Sequence, residues 1–456
     1  MQDMTTGPIR GHVLKMMAFM LTAMFMQTLY ALVDIFWVGK LGKEAIAAVG
    51  IASNLMFVML AISQTLSVAS VAMVSQAFGR KDGAEVQRVF NQSQCQSAIV
   101  ALLVLIAGMA LRDTYTSHMA SDATTAALAS GFLNWFIPSQ ALLFLMTALG
   151  SALRGIGNMK PGLIAQMASI LLNMVLAPFL IFGWLGLPKL GVPGAALATF
   201  IATVAAVAGL ALYLARKSSY LRIDFALWRP DWKLWKRMFA IGLPSGAEFL
   251  MMSVILGLIY VVIRPFGAAS QAGFGIGLRL MQAGFMPAVA LSFAAAAVAG
   301  QNFGAQNFDR VRQTFVEGAK LNIAFMLAFT ILCQLLGGWM VGLFSHEAGV
   351  VAVGADYLHF ISFNYIASGL ILVSAGMFQG IGNTLPSLMA SGSRLLTFLL
   401  PVLWLAKQPG FTIHQVWWVS VTSVALQMCL SLLLLRREFA RRLPLPGGDA
   451  LASPAL

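Results

Sequence analysis

Gly155-Ile-Gly-Asn-Met-Lys-Pro161 recurs 225 residues further along the chain as Gly380-Ile-Gly-Asn-Thr-Leu-Pro386. A second pair of blocks, Ser75-Gln-Ala-Phe-Gly79 and Gly300-Gln-Asn-Phe-Gly304, has the same offset without a gap. Two multi-residue blocks at one shared offset indicate an internal repeat, and a repeat governs the fold of the whole chain. Because glycine permits positive φ and proline cannot continue a helix, the first pair predicts tight turns between helices.

Apolar residues dominate the composition, with 59% hydrophobic and only 10% charged residues, whereas soluble domains carry about 25% charged residues. Twelve apolar runs are long enough to cross a hydrocarbon layer of about 30 Å. We therefore predict an all-α polytopic membrane protein with two six-helix lobes. The runs are 13–38, 45–77, 92–111, 124–148, 161–185, 192–215, 238–263, 270–303, 319–344, 348–377, 385–406 and 411–435.

The net charge of +13 does not indicate nucleic-acid binding, because the basic residues are unevenly placed. Most of the 29 Lys and Arg residues flank the runs on the side of the amino terminus. The positive-inside rule then predicts that both termini are cytoplasmic. Six runs per half give both halves the same orientation, which predicts a pseudo-two-fold axis along the membrane normal.

The predicted lobes are joined by a polar connection. Its tryptophans, Trp228, Trp232 and Trp235, favour a helix lying at the membrane interface. The Pro- and Gly-containing carboxyl-terminal segment has nothing to pack against, so we expect it to be disordered. The predicted boundaries are 1–215 for the first lobe, 216–237 for the cytoplasmic linker, 238–440 for the second lobe and 441–456 for the tail.

One carboxylate, Asp34, lies near the outer end of the first apolar run. A charge at membrane depth costs roughly 2.5–3.5 kcal/mol on insertion scales, so such residues usually face a protein interior or a water-filled cavity. Tyr30 and Gln27 precede Asp34 by four and seven residues, which places them on the same helix face. The alternative is an interfacial Asp34 that points into water.

The second half contains one acidic and two basic residues within apolar runs: Glu248, Arg279 and Arg394. Because an unpaired charge in lipid is costly, we expect Glu248, about one turn inside its run, to pair with Arg279 in preference to Arg394. The alternative is a Glu248 that is solvated near the headgroups. We expect these three residues, with Met252 and Gln282, to line a substrate cavity.

Enzyme and cofactor functions are not indicated. Cys95, Cys333 and Cys429 have unrelated spacings, which predicts neither a metal site nor a disulfide framework. Gly155-Ile-Gly157 follows no strand and precedes no Lys-Ser or Lys-Thr pair, so it is not a nucleotide-binding loop. No run contains a catalytic His-Asp, Ser-Lys or Glu-x-x-His pair, and we expect no catalytic residues, cofactor or resident metal.

Several blocks resemble the multidrug and toxic compound extrusion (MATE) transporters, particularly bacterial members of the DNA-damage-inducible-protein branch. The resemblance covers about residues 10 to 440 and implies two six-helix lobes and alternating access. We expect a monomer in the bacterial cytoplasmic (inner) membrane. It also implies export of amphipathic, often cationic organic molecules in exchange for protons or sodium. The blocks are Val33-Asp-Ile-Phe-Trp-Val-Gly-Lys-Leu-Gly42, Ser75-Gln-Ala-Phe-Gly79, Leu153-Arg-Gly-Ile-Gly-Asn158, Gly242-Leu-Pro-Ser-Gly246, Gly300-Gln-Asn-Phe-Gly-Ala305 and Gln379-Gly-Ile-Gly-Asn383.

The same resemblance implies a cation-coupling site in the first lobe, with Asp34 as its acidic residue. Ala177 stands where many relatives have an aspartate, which leaves one carboxylate and favours a proton over sodium. Sodium bound at Asp34, Asn173 and Thr199 is the alternative. The implied site residues are Asp34, Asn173, Thr199, Tyr30 and Gln27.

A lipid-linked oligosaccharide flippase of the same superfamily is the alternative function. We expect such a protein to have a strongly cationic cavity for a pyrophosphate headgroup. This chain has only Arg279 and Arg394 inside its apolar runs, so the sequence favours the drug transporter. We expect the partners to be small-molecule drugs or toxic organic cations, together with membrane lipids, and no nucleic acid.

Overall fold

The computed structural model describes residues 3–120, 122–186, 188–217 and 220–444. Within these ranges the regular structure is helical, which confirms the predicted all-α class. The thirteen α-helices are α1 (Ile9–Gly39), α2 (Lys43–Gly79), α3 (Gly83–Met119), α4 (Ala123–Gly155), α5 (Lys160–Phe182), α6 (Val192–Lys217), α7 (Trp232–Ile263), α8 (Ala268–Gly304), α9 (Phe308–Gly342), α10 (Ala348–Ser362), α11 (Asn364–Ile381), α12 (Leu385–Leu405) and α13 (Ile413–Arg442).

The internal repeat is visible in the helix boundaries. Helices α8, α9 and α12 each begin 225 residues after α2, α3 and α5, the same offset as the sequence blocks. The predicted turns are confirmed, because Gly157 and Gly382 have φ of +72° and +79° between α4 and α5 and between α11 and α12. A side chain at either position would be strained, which explains why both copies of the turn use glycine.

The tenth predicted run, 348–377, is not a single helix. The structure divides it into α10 and α11, which meet at Phe363. Its counterpart one repeat earlier is Pro138, which lies inside α4 and cannot donate the hydrogen bond that a helix requires there. The second half therefore breaks the helix at the position where α4 of the first half continues with one main-chain donor fewer.

Side chains of α9 explain the break in the second half. Gln334 Nε2 donates to the carbonyl of His359 at 2.9 Å. The single hydrogen of the Thr330 hydroxyl is shared between the Ser362 carbonyl at 3.0 Å and the Met326 carbonyl at 2.8 Å. These donors satisfy carbonyls at the end of α10 that a continuous helix would have paired internally. Hydropathy could not reveal this, because the run 348–377 is apolar when taken as a whole.

Contacts among Cα atoms group the chain into two compact units. The first contains Asp3 and Ala18–Leu250, and the second contains Met4–Met17 and the chain from Met251 onward. The units divide inside α1 and inside α7, whereas the predicted lobes divide between helices. The predicted lobe limits, which follow chain order rather than packing, stay a prediction.

The amino-terminal segment is anchored within the second unit by hydrogen bonds to its main chain. The Met4 N–H donates to Gln301 Oε1 at 3.0 Å. Asn302 Nδ2 and Arg310 Nη2 donate to the Met4 carbonyl at 3.1 Å and 3.2 Å. Met4 is fully buried and is therefore part of the packed structure of this unit.

The segment between α6 and α7 is shorter than the predicted linker, 216–237, and the last part of that predicted range, with Trp235, lies in α7. Helix α6 extends to Lys217 and α7 begins at Trp232, with a 3₁₀ helix at Phe225–Trp228 between them. Trp235 is only 5% exposed, and its Nε1 donates to Gln92 Oε1 at 2.7 Å. The prediction of an interfacial helix carrying Trp235 is therefore wrong, because the side chain has a hydrogen-bond partner inside the first unit.

Amide side chains of α3 hold this linker. Gln87 exchanges two hydrogen bonds with the main chain of Arg222, at 2.5 Å and 2.9 Å. Asn91 donates to the Arg222 carbonyl at 2.9 Å and accepts from the Asp224 N–H at 2.8 Å. Polar residues near the start of an apolar helix thus satisfy a non-helical segment, whose main-chain groups need partners.

The carboxyl-terminal helix continues past the predicted start of the tail at residue 441, because α13 ends at Arg442. Glu438 is 6% exposed, forms an ion pair with Arg442 (Oε1 to Nε, 2.6 Å) and accepts a hydrogen bond from Asn383 Nδ2 at 2.9 Å. These contacts extend the ordered helix beyond the apolar run. The rest of the predicted tail, from 445 to 456, lies outside the described residues.

Candidate functional site

A hydrogen-bond network in the first unit is centred on the Thr199 hydroxyl. Asn173 Nδ2 donates to Thr199 Oγ1 at 2.9 Å, and the Tyr30 hydroxyl lies 3.0 Å from the same oxygen. Thr199 donates its own hydrogen to the Ala195 carbonyl at 3.2 Å. A hydroxyl has one hydrogen and two lone pairs, so Tyr30 and Asn173 are both donors and the capacity of Thr199 is filled.

Two residues that the sequence did not single out extend this network. Thr203 Oγ1 donates to the Thr199 carbonyl at 2.8 Å, and Ser139 Oγ lies 3.4 Å from Thr203 Oγ1. Thr203 is one turn beyond Thr199 on the same face of α6, so helical spacing was a usable signal. Nothing in the sequence around Ser139 indicated that α4 takes part.

Close packing of α5 against α6 brings Asn173 and Thr199 together. A Cβ atom at Gly194 would lie 2.5 Å from the Leu180 carbonyl oxygen, so only glycine permits this approach of the two main chains. Gly191, in the preceding turn, has a φ of +61°. Gly194 thus permits a close approach of α5 and α6, the two helices whose Asn173 and Thr199 side chains, 26 residues apart in the chain, form the hydrogen bond.

Asp34 lies on α1, one turn after Tyr30 and within electrostatic range of its hydroxyl. The Oδ1 atom is buried and has no hydrogen-bond partner among the described residues. Gln27 is exposed and is not part of the network around Thr199. The structure therefore joins Tyr30, Asn173 and Thr199 directly, with Asp34 beside them and Gln27 outside.

Ala177, four residues after Asn173, is 1% exposed and belongs to an apolar cluster with Leu180 and Ile181. The methyl group fills a position where a carboxylate would need a polar partner. Asp34 is thus the one acidic side chain beside this network in the first unit, as far as the described residues extend. Chemically, this arrangement offers a single carboxyl group that can accept or release one proton.

The five residues predicted to line a second-half cavity occupy different environments. Met252 is 59% exposed, and Arg279 and Gln282 are exposed. Glu248 and Arg394 are half-buried. Because α7 begins at Trp232, Glu248 lies about four turns after the start of its helix. The pairing of Glu248 with Arg279 stays a prediction.

Within the part of the chain that the structure describes, twelve helices are long and apolar enough to cross a membrane. They define the class of protein: a multi-pass membrane protein built from a repeated set of helices. The MatE family model matches residues 20–179 and again 244–405, so each half of the chain carries one copy. The chain belongs to the MatE family, the multidrug and toxic compound extrusion transporters.

Individual relatives agree with this assignment. The chain is 30% identical over 426 residues to the probable multidrug resistance protein NorM of Bradyrhizobium diazoefficiens, covering 90% of this chain and 89% of that one. It is 24% identical over 364 residues to the probable multidrug resistance protein YoeA of Bacillus subtilis, covering 79% of each. A solved MOP superfamily transporter from Pyrococcus furiosus has the same fold, with a TM-score of 0.88, 23% identity and coverage of 96% and 97%.

Proposed function

We propose that this protein exports amphipathic, often cationic organic compounds by proton-coupled antiport. Two relatives described as probable multidrug resistance proteins support the substrate class. The buried Oδ1 atom of Asp34, which has no hydrogen-bond partner among the described residues, supports the coupling mechanism. This atom carries the proposal, because a carboxyl group without a fixed partner can change its protonation without breaking a structural ion pair.

In the proposed cycle Asp34 binds a proton when its surroundings favour the neutral acid and releases it when water or a cation favours the carboxylate. A cationic substrate and a proton then compete for the same negative charge, which couples their movements in opposite directions. The membrane potential contributes about 2.3 kcal/mol per charge per 100 mV to each inward proton. Alternating access of Asp34 to the two sides completes the cycle.

The geometry around Thr199 favours a proton over sodium. Sodium requires several oxygen ligands, and both lone pairs of Thr199 Oγ1 already accept hydrogen bonds from Tyr30 and Asn173. A sodium ion at this oxygen would have to displace one donor. Protonation of Asp34 requires no such change, and Ala177 supplies no second carboxylate.

Proteoliposomes test the proposal with rhodamine 123 as a cationic probe and with a pH gradient and a sodium gradient imposed separately. We expect the wild-type protein to transport the dye on the pH gradient and not on the sodium gradient. Asp34→Asn should still bind the dye but lose transport. The control is Asp309→Asn, which removes an exposed carboxylate that pairs with Arg312 at 2.9 Å.

Two outcomes contradict this scheme. Wild-type transport by Asp34→Asn on the pH gradient would remove Asp34 from the coupling mechanism. Transport driven by the sodium gradient alone would show that the coupling ion is sodium, while leaving the export function intact.

We also propose that both termini lie in the cytoplasm of a bacterial cell, with the chain in the cytoplasmic membrane. The support is the bias of Lys and Arg toward the loops on the side of the amino terminus. A carboxyl-terminal green fluorescent protein fusion should fluoresce, and the corresponding alkaline phosphatase fusion should be inactive. The reverse result would overturn this orientation.

A further inference from the structure

An isolated arginine lies inside the second unit. Arg394 is near the middle of α12, a helix that qualifies as a membrane span. Its Nε atom is buried without a hydrogen-bond partner in the described ranges, and the side chain as a whole is half-buried. A guanidinium at this depth is expensive unless an acceptor compensates it.

The carboxylates of the second unit do not supply that acceptor. Within the described residues this unit has five, and four of them pair with other basic side chains. The fifth, Glu347, is exposed at the start of α10. The four pairs are Asp309 with Arg312, Glu317 with Lys320, Asp356 with His414 and Glu438 with Arg442.

A second donor with a poor acceptor lies near Arg394. Tyr357 is within electrostatic range of Arg394 and is 4% exposed. Its hydroxyl donates to the Met281 sulfur at 3.4 Å, and a thioether is a weak acceptor. Trp417, whose ring centroid is 4.9 Å from that of Tyr357, also has a buried N–H without a partner among the described residues.

The position of Tyr357 is fixed by packing. A Cβ atom at Gly277 would lie 2.4 Å from Tyr357 Cδ1, so α8 has a glycine where the ring lies against it. The ring also packs edge-on against Phe274, with centroids 5.0 Å apart. This packing therefore fixes the Tyr357 hydroxyl near Arg394.

The face of α12 toward its amino terminus is polar. Ser387 and Ser391 precede Arg394 by seven and three residues, which places all three on one face. Gln427 Nε2 of α13 donates to Ser391 Oγ at 3.4 Å. The hydroxyl groups of Ser387 and Ser391 and the amide of Gln427 therefore lie on the same side of α12 as the Arg394 guanidinium.

We propose that Arg394 and Tyr357 form a binding site for a monovalent anion, either a halide ion or the carboxylate of a small organic molecule. The anion neutralises the guanidinium and accepts hydrogen bonds from Arg394 and from the Tyr357 hydroxyl, which turns away from Met281. Charge-assisted hydrogen bonds of this kind are the strong class. One unpaired guanidinium matches one negative charge, because a divalent anion would leave a charge uncompensated in the apolar interior.

Thermal unfolding of the purified protein tests binding independently of transport. At constant pH, sodium concentration and ionic strength, sodium methanesulfonate, which is neither a halide nor a carboxylate, is replaced stepwise by sodium chloride or sodium benzoate. We expect a saturable rise in the melting temperature of the wild-type protein, because a ligand that binds only the folded state stabilises it. The apparent affinity should fall by about tenfold or more in Arg394→Gln, which loses a charge-assisted bond, and by less in Tyr357→Phe.

The matched control is Arg264→Gln, which removes an exposed arginine of the same unit and should titrate like the wild type. Arg394→Gln removes an uncompensated charge, so it should show a cooperative transition in methanesulfonate at a temperature no lower than that of the wild type. An unchanged anion titration in Arg394→Gln would overturn the proposal, as would the absence of any anion effect in the wild type.

A matched pair of dyes distinguishes the two anion sources, and this arm rests on the proposed export function. Rhodamine 110 is the free acid of the methyl ester rhodamine 123. If a substrate carboxylate is the ligand, Arg394→Gln should lose export of rhodamine 110 by about tenfold and retain rhodamine 123. If a halide is the ligand, Arg394→Gln should affect the export of both dyes equally, and of the two anion titrations only the one with chloride should differ from that of the wild type. Failure of the wild type to export rhodamine 123 would refute the transport function and leave the binding result standing.

Discussion

Removal of the Thr199 hydroxyl group is the sharpest test of the candidate site. Thr199→Val keeps the shape of the side chain but removes the oxygen that accepts from Tyr30 at 3.0 Å and from Asn173 at 2.9 Å. Hydrogen bonds between membrane helices average about 0.6 kcal/mol and reach about 1.7 kcal/mol. Because Asn173 is 3% exposed and has little access to water, we expect a loss of about 1–3 kcal/mol in the free energy of unfolding.

Reversible unfolding in mixed detergent micelles measures this loss. Thr199→Ser keeps the hydroxyl and should lie within about 0.5 kcal/mol of the wild type. Thr28→Val is the matched chemical control, because the Thr28 hydroxyl is exposed and bonds only to the Met24 carbonyl of its own helix, at 3.0 Å. In a double-mutant cycle, Tyr30→Phe should cost less in the Thr199→Val background than in the wild type.

Equal stabilities of Thr199→Val and Thr199→Ser would refute the reasoning. So would full additivity of Tyr30→Phe and Thr199→Val, because additivity means that the two side chains do not interact. Either result would show that the hydroxyl does not join α1 to α6.

Two further predictions concern packing and pH. A Cβ atom at Gly242 would lie 2.2 Å from the Thr65 carbonyl oxygen, whereas a Cβ atom at Gly257 of the same helix would have nothing within 4 Å. Gly242→Ala should therefore lower the free energy of unfolding by about 1–3 kcal/mol, and Gly257→Ala should not. Unfolding in detergent measures both variants. The Arg88 guanidinium beside Asp231 lowers the pKa of that carboxyl below its usual value, so its contribution to stability is present above about pH 4 and is lost as the pH falls. Asp231→Ala should cost about 1–2 kcal/mol at neutral pH, and melting curves of variant and wild type should converge in acid; a gap independent of pH would contradict the ion pair.

Most of the fold was predictable from local properties of the sequence. Hydropathy located twelve apolar runs, and the shared offset of two short blocks identified the repeat that the helix boundaries display. Gly157 and Gly382 predicted the two turns, because few residues other than glycine adopt positive φ. Each of these signals depends on residues close together in the chain, or on identical residues at a fixed separation.

The errors have one physical origin, which is pairing between distant residues. The break at Phe363 depends on side chains of α9 that donate to carbonyls of α10, and apolarity does not reveal such donors. The burial of Trp235 depends on Gln92, which is 143 residues away in the chain. Composition indicated an interfacial tryptophan because it describes a side chain without its partners.

The same distinction, between local sequence signals and pairing of distant residues, applies to the candidate site. The sequence by itself determined that Asp34 and Arg394 are charges within apolar helices, and the burial cost makes such residues stand out from composition alone. The tertiary structure decided that Thr199 joins Tyr30, 169 residues distant, to Asn173, 26 residues distant. It also decided that Arg394 lies apart from the carboxylates of its own unit, because a hydrogen bond or an ion pair forms only where packing brings its two partners within about 3 Å.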